Sequence, residues 1–151
     1  MIVETQRFGN IEVESEAVVH IPSGLPGFVA RKEFAVVAHP GGGPFNWLQS
    51  TEEPGLAFVI ADPLYFCPDY RVSISRAEVE DLDLEDEKEA QVWVVCGMSS
   101  DPEEITANLA APIVVNRTSR MGKQVLMQNG PYGMRYPIVK HMRSLAGEAN
   151  Q

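Results

Sequence analysis

Short apolar runs, many alternating with polar residues and bounded by Gly, Pro, Asn or Asp, recur along the whole chain, a pattern that specifies strands. Phe8, Ile11 and Val13 surround the turn-like pair Gly9-Asn10, with Glu12 and Glu14 at the alternate positions, which predicts a hairpin with one wet face. A run at 18–21 stops at Pro22, and residues 22–27, Pro-Ser-Gly-Leu-Pro-Gly, are too rich in proline and glycine for helix or ladder. Further strands are expected at 34–38, 45–49, 56–61, 70–75, 91–98, 113–116 and 124–128. The run Leu56-Ala57-Phe58-Val59-Ile60-Ala61 has no polar alternation, so it predicts a strand covered on both faces or closed inside a barrel. Helix signals are few. Asp101-Pro102-Glu103-Glu104 combines an N-cap, a first-turn proline and acids, so a turn or two should follow before Pro112. A second short helix is expected from Ser75 or Arg76 toward Leu82, and Ile138, Met142 and Leu145 have helical spacing in the tail. The predicted class is mostly β: a small antiparallel β-barrel-like or sandwich domain with one or two short helices.

Length and composition bound this picture. A chain of 151 residues with 44% hydrophobic content suits one core, and we expect a single β-barrel-like domain over 1–138 with a tail over 139–151 that is compatible with a short helix. The net charge of −9 argues against direct attraction to nucleic acid or to an anionic membrane. That charge is uneven: residues 1–104 hold 20 acids and six bases, a sum of −14, whereas residues 105–151 hold one acid, Glu148, and six bases, a sum of +5. The bases Arg117, Arg120, Lys123, Arg135, Lys140 and Arg143 would suit nucleic acid if they faced together, although only Tyr132 and Tyr136 accompany them for base stacking. The chain start reaches Glu4 without a basic and apolar leader, and no apolar run approaches the ~20 residues of a membrane span. Cys67 and Cys96 are too far apart for a CxxC site, and Cys96 within Val92-Trp93-Val94-Val95-Cys96 reads as a core hydrophobe. A cytoplasmic location is expected, which would leave the acceptor-like Asn116-Arg117-Thr118 unmodified.

Candidate chemistry is sparse. Gly41-Gly42-Gly43 lacks the following Lys-Ser or Lys-Thr and the helix of a phosphate loop, and reads as a hairpin loop. His20, His39 and His141 lie singly, at no metal-binding spacing. Ser50, His39 and Asp62 could be assembled into a triad only without a nucleophile elbow. Asp62 and Asp69 flank Leu64-Tyr65-Phe66-Cys67-Pro68 and are better suited to binding turn amides than to acid and base catalysis. We therefore expect no catalytic residue, cofactor or metal, and no enzyme. The conspicuous feature is acidic: Glu78, Glu80, Asp81, Asp83, Glu85, Asp86, Glu87 and Glu89 fall within twelve positions. Without a central glycine this is not a calcium loop; it is a solvated loop or a docking surface for a basic partner. Phe45, Trp47, Tyr65, Phe66 and Tyr70 crowd a proline-rich stretch, where one or two at a loop edge would anchor an apolar partner segment. The alternative is a small ligand-binding β-barrel or minor enzyme with a pocket in the barrel mouth.

Five blocks resemble one family in order and in register. They are 21–28, Ile-Pro-Ser-Gly-Leu-Pro-Gly-Phe; 44–50, Pro-Phe-Asn-Trp-Leu-Gln-Ser; Asp62-Pro63 with Pro68-Asp69-Tyr70; 106–116, Thr-Ala-Asn-Leu-Ala-Ala-Pro-Ile-Val-Val-Asn; and Gly122-Lys123-Gln124-Val125. Together they resemble the bacterial flagellar assembly factor FliW over roughly residues 8–138. The position after Phe28, acidic in the family's pattern, is Val29, and the tail from Val139 carries no matching motif. The resemblance implies a small β-barrel-like, non-enzymatic protein of the cytoplasm. Its partners would be flagellin and, when flagellin has been exported, the RNA-binding regulator CsrA, whose repression of flagellin translation it would relieve. On that implication Glu80, Asp81, Asp83, Glu85, Asp86 and Glu87 are the candidates for CsrA, and Phe45, Trp47, Phe66 and Tyr70 those for flagellin.

Overall fold

A computed structural model of the chain describes residues 1–39, 43–73, 75–127 and 130–142. A hairpin of β1 (Ile2–Thr5) and β2 (Gly9–Glu12) stands apart from one large antiparallel sheet. In that sheet β3 (Val18–His20), β4 (Glu33–Ala38), β5 (Phe45–Ser50), β6 (Ala57–Ala61) and β7 (Ala90–Gly97) follow one another in space as in sequence. Beyond β7 the order continues through β9 (Ile113–Asn116) to β10 (Gly122–Gln124), while the two-residue strands β8 (Thr106–Ala107) and β11 (Tyr136–Pro137) extend the far end of β7. A helix, α1, begins at residue 138 and runs to 142 among the described residues.

The mostly-β antiparallel class is as expected, but the sheet is not closed into a barrel. Its outer strands touch at one isolated parallel bridge, His20 to Met121, where the His20 N–H donates to the Arg120 carbonyl at 2.9 Å. β7 also changes partners along its length. Residues 90–93 pair with β9, Val94 and Val95 with β6, and Cys96 and Gly97 with β8. Consequently the first half of β7 has no strand on its β6 side.

Both faces of the sheet are covered, as the unbroken apolar run 56–61 predicts. Inward-facing Phe34, Leu48, Ile60, Ile113 and Val115 join Val19, Ile21 and Leu25 in one core. On the opposite face Ala61 and Val94 pack with Phe66, Tyr70, Ile105, Leu109 and Ile138. Two smaller clusters extend that outer layer: Val3 and Val13 cover Val18 and Ala35, and Leu82 covers Val114 and Val125.

Several expected elements are corrected. The N-terminal hairpin turns at residues 6–8, and Gly9, at φ +67°, opens β2 instead of forming the turn. The Thr5 hydroxyl fixes this tight connection by accepting from Phe8 N–H at 2.7 Å and donating to the Gly9 carbonyl at 2.8 Å. The expected strand at 70–75 is absent over its described residues, Ile74 lying outside them. Its backbone is engaged by side chains, with Arg71 N–H donating to the Tyr132 hydroxyl and Ser73 N–H to Met127 Sδ. The last strand comes earlier than 124–128, Gln128 being outside the described residues, because Gly122–Gln124 pair with Ile113–Val115. The helix at Asp101 is a single 3-10 turn, Pro102–Glu104, capped by Asp101 and ending at Ile105. β4 and β5 form a hairpin as expected, although residues 40–42 of its loop lie outside the described residues. In the tail, Met142 packs against the outer core, and Leu145 lies outside the described residues.

Phe34 is fully buried between the β3 and β5 sides of the inner core. Phe34→Ala should therefore destabilise the protein by about 3–5 kcal/mol, read as a lower urea midpoint at unchanged slope.

Candidate functional site

The acidic segment is mounted on the sheet by its few apolar residues. A 3-10 helix, Arg76–Leu82, starts at Ser75, whose hydroxyl accepts from Glu78 N–H, and stops at Asp83 in the left-handed region at φ +54°. With three residues per turn, one stripe in three faces inward. Val79 and Leu82 occupy that stripe, and together with Leu84 they pack over Val114 and Val125. The remaining positions are free for charge. Glu78, Glu80, Asp81, Asp83, Glu85, Asp86 and Glu87 are exposed, and Glu89 is half-buried. A second 3-10 turn, Glu87–Glu89, is capped by Asp86, which accepts from Lys88 N–H.

Side chains of β9 and β10 hold this segment down. Asn116 is buried, and its amide donates to the Leu82 carbonyl at 2.9 Å while its oxygen accepts from Thr118 and Ser119 N–H. In Asn116-Arg117-Thr118 the asparagine side chain is thereby buried and engaged in structure. Lys123 donates to the Glu78 carbonyl at 2.7 Å and pairs with Asp81 at 3.7 Å, the one ion pair made by the segment among the described residues. Folding thus brings Lys123 against the acids, and Arg117 beside them, its backbone N–H donating to the Glu89 carbonyl at 2.8 Å. Arg120 is occupied elsewhere, donating to the Val18 carbonyl and Gln91 Oε1, and burial together with neighbouring Arg117 lowers its pKa. Arg143 lies outside the described residues. Of the basic residues that would have to face together for nucleic acid, Arg120 and Lys123 are thus drawn into separate contacts, while Arg117, Arg135 and Lys140 are exposed.

The aromatic candidates divide by burial. Phe66 and Tyr70, at 1% and 4% exposure, belong to the outer core. Tyr70 donates its hydroxyl to the Leu109 carbonyl at 2.7 Å, and burial, with Tyr132 and Cys67 close by, raises its pKa. Phe45 is half-buried against the same core. Trp47, also half-buried, is boxed in: Phe8 meets it edge-on, His39 stacks on it, and the Arg7 guanidinium lies 4.2 Å from its ring centroid. The freely presented residues are their neighbours Leu64 and Tyr65, 54% and 59% exposed on the 3-10 turn Pro63–Tyr65. Alternation in the sequence does not single out this pair. The signal for it is Asp62-Pro63, since Asp62 caps the turn by accepting from Leu64 N–H and so pushes the two side chains outward.

The residues considered for catalysis are engaged or apart. Ser50 is buried, and its hydroxyl accepts from Glu52 and Glu53 N–H to fix the β5–β6 turn. His39 follows the other end of the hairpin, where Ala38 pairs with Asn46, some four positions or ~13 Å along the strand. Asp69 contributes its carbonyl to the Tyr132 hydroxyl. Cys96 is buried, which pushes its thiol pKa up to about 12. His20 sits on the surface 3.6 Å from Glu33, and the His141 ring stacks on Tyr136 with Nδ1 donating to the Pro137 carbonyl at 2.6 Å. Among the described residues, no group of three or more His, Cys, Asp or Glu is placed to hold a metal ion, and no helix is long and apolar enough to cross a membrane.

Two cavities flank the middle of β7. One, of about 730 Å³, lies beside its first half, on the side away from β9, and is walled by Leu64, Val79, Leu84 and Val92, by Glu85, Asp86 and Glu87, and by three arginines, Arg71, Arg76 and Arg117. The other, of about 660 Å³, opens between β2, the end of β4, and Trp93. The space between the sheet's inner faces is filled by apolar side chains, which weighs against a ligand-binding barrel.

A family model described as FliW protein matches residues 2–138. The chain is 36% identical over 152 residues to a flagellar assembly factor FliW of Alkaliphilus metalliredigens (strain QYMF), covering 100% of this chain and 94% of that protein. It is 34% identical over 147 residues to another from Leptospira biflexa serovar Patoc (strain Patoc 1 / Ames), covering 97% and 96%. A crystal structure of the flagellar assembly factor FliW superposes with a TM-score of 0.83 at 31% identity, covering 91% of this chain and 96% of that one.

Removing the Asn116 amide strands the Leu82 carbonyl. Asn116→Ala should cost about 1–3 kcal/mol and make amide hydrogen exchange faster over residues 76–86 than in the inner strands.

Proposed function

The chain belongs to the FliW family of flagellar assembly factors, and from that premise we propose that it is a cytoplasmic partner-switching protein, without enzymatic activity, that binds flagellin and CsrA in turn. While newly made flagellin is present the protein holds it. Once flagellin has been exported, the freed protein binds CsrA and relieves repression of flagellin translation, coupling synthesis to export. The observation that carries the reading is the acidic segment: seven exposed carboxylates between Glu78 and Glu87, fixed to the sheet and making one ion pair among the described residues, Asp81 with Lys123. An RNA-binding regulator presents basic surface to its phosphates. A pinned acidic face attracts that surface, speeds the encounter and opposes RNA by occupancy or by like charge. Glu80, Asp81, Asp83, Glu85, Asp86 and Glu87 are the contact residues proposed, all exposed.

For flagellin, whose terminal segments are amphipathic before assembly, apolar anchors are required. The burial of Phe66 and Tyr70 moves the proposed anchor from those rings to the adjoining Leu64 and Tyr65, with the half-buried Phe45 and Trp47 retained as candidates.

Titration with purified partners tests the exchange. Flagellin added to a preformed complex with CsrA should release CsrA, whereas binding of neither protein at micromolar concentration would overturn the function. Neutralising the six acids together, Glu to Gln and Asp to Asn, should slow CsrA association about tenfold or more at low salt with a smaller change in dissociation. Unchanged kinetics at low salt would remove the segment from the interface.

A further inference from the structure

The second cavity combines three features that select one kind of occupant. First, it holds strand edges without a ladder partner, with the 3-10 turn Ser15–Ala17 standing beside that of β4. The ladder between β3 and β4 ends at Val18 and Ala35, so Val36–Ala38 keep a strand partner only in β5. Among the described residues β2 likewise pairs only with β1. Both strand ends line the same opening, and an edge with unused backbone groups is a template for an added strand. Second, the floor is apolar: Val13, Ala17, Val36 and Trp93 line it, and the Trp93 indole N–H is buried without a hydrogen-bond partner. A buried donor of this kind is normally satisfied, and a carbonyl on an incoming backbone is a suitable acceptor. Third, the rim is acidic. Glu12, Glu14 and Glu16 are exposed, line the cavity and make no ion pair among the described residues. The one base in the lining, Arg120, is already committed to the Val18 carbonyl and Gln91.

We propose that this opening seats an extended, lysine- or arginine-bearing segment of a partner protein, added as a strand at the Val36–Ala38 edge with its basic side chains on Glu12, Glu14 and Glu16. Alternate side chains of an added strand point to opposite sides, so apolar residues meet the Val36 and Trp93 floor while the basic ones reach the glutamates. The larger cavity selects no such partner, because carboxylates and guanidiniums share its wall. The proposal concerns a surface other than the acidic segment at 78–89 and stands whichever protein carries the peptide.

The test uses the full chain and a capped heptapeptide of alternating lysine and valine, with a glutamate and valine peptide as control. Two-dimensional NMR follows the two indole N–H signals, that of Trp93 being assigned by its persistence in Trp47→Phe. The lysine peptide should shift the Trp93 signal saturably, and added salt should weaken the binding. Glu12→Gln/Glu14→Gln/Glu16→Gln should raise the dissociation constant about tenfold, three exposed ion pairs being lost, with an otherwise unchanged spectrum. The neutralised six-acid variant of residues 80–87 should bind the peptide within about twofold of the parent, since separated sites act independently. No shift at millimolar peptide, an equal response to the glutamate peptide, or an undiminished affinity in the triple variant would overturn the proposal. Concentration-dependent movement of the same signals without peptide would assign the opening to a second copy of the chain and equally overturn it.

Discussion

The constraint on which the structure depends is that its central strands are apolar on both faces. Phe58 and Ile60 of β6 belong with the inner core, whereas Val59 and Ala61 belong with the outer one. One sheet curling on itself covers only the inner set. The outer set must be covered by something else, and three separate segments do so: the β1–β2 hairpin, the stretch from Pro63 to Val72 with β11 and α1, and the acidic 3-10 helix. The irregular parts of the chain are thus structural covers for the second face. Because each cover uses a minority of its residues for packing, the rest are left to carry charge or exposed apolar groups.

That division explains what was legible. Strands β4, β5, β6, β7 and β9 were recoverable because apolar runs bounded by Pro, Gly and Asp report burial directly, and 113–116 coincides with β9. Gly9-Asn10 misled because glycine at positive φ serves equally to start a strand after a turn as to make the turn itself. The stretch from Tyr70 looked like a strand because its composition suits one, yet its amides are satisfied by a hydroxyl and a thioether from residues more than fifty positions away. No local pattern contains such partners. β8 and β11, two residues each, fall below what alternation can register.

The candidate surfaces were legible to different degrees for the same reason. Charge is written in the sequence, and the acids from Glu80 to Glu87 are exposed as their composition suggests. Their fixation is not written there, since it depends on Asn116 and Lys123, some 34 and 45 positions from their partners Leu82 and Glu78. Aromatic identity was the poorer guide. Phe66 and Tyr70 are core residues because the outer face needs large side chains to cover it, and exposure falls instead to Leu64 and Tyr65, which a capped turn aims away from that face. Strand edges were not legible at all. They arise from the mismatch between three residues of β3 and six of β4, and from β7 leaving β6 for β9.

The two acidic surfaces share a sign and differ in construction, and the difference governs selectivity. At 78–89 the carboxylates project from two 3-10 turns and the link between them, whose apolar residues Val79, Leu82 and Leu84 pack onto the sheet, so the partner meets charge with little apolar area to bury. Such a surface sets encounter rate and sign, and it discriminates weakly among basic proteins. At Glu12, Glu14 and Glu16 the charges border an apolar floor and an unfinished strand edge. There the backbone register of an occupant must place alternate side chains correctly, so a one-residue slip would set lysines on Val36 and Trp93 and leave apolar groups among the glutamates. The net charge of −9 therefore has two physical meanings in one molecule: a long-range field that any cation feels, and a local rim that only a strand of the right alternation can satisfy.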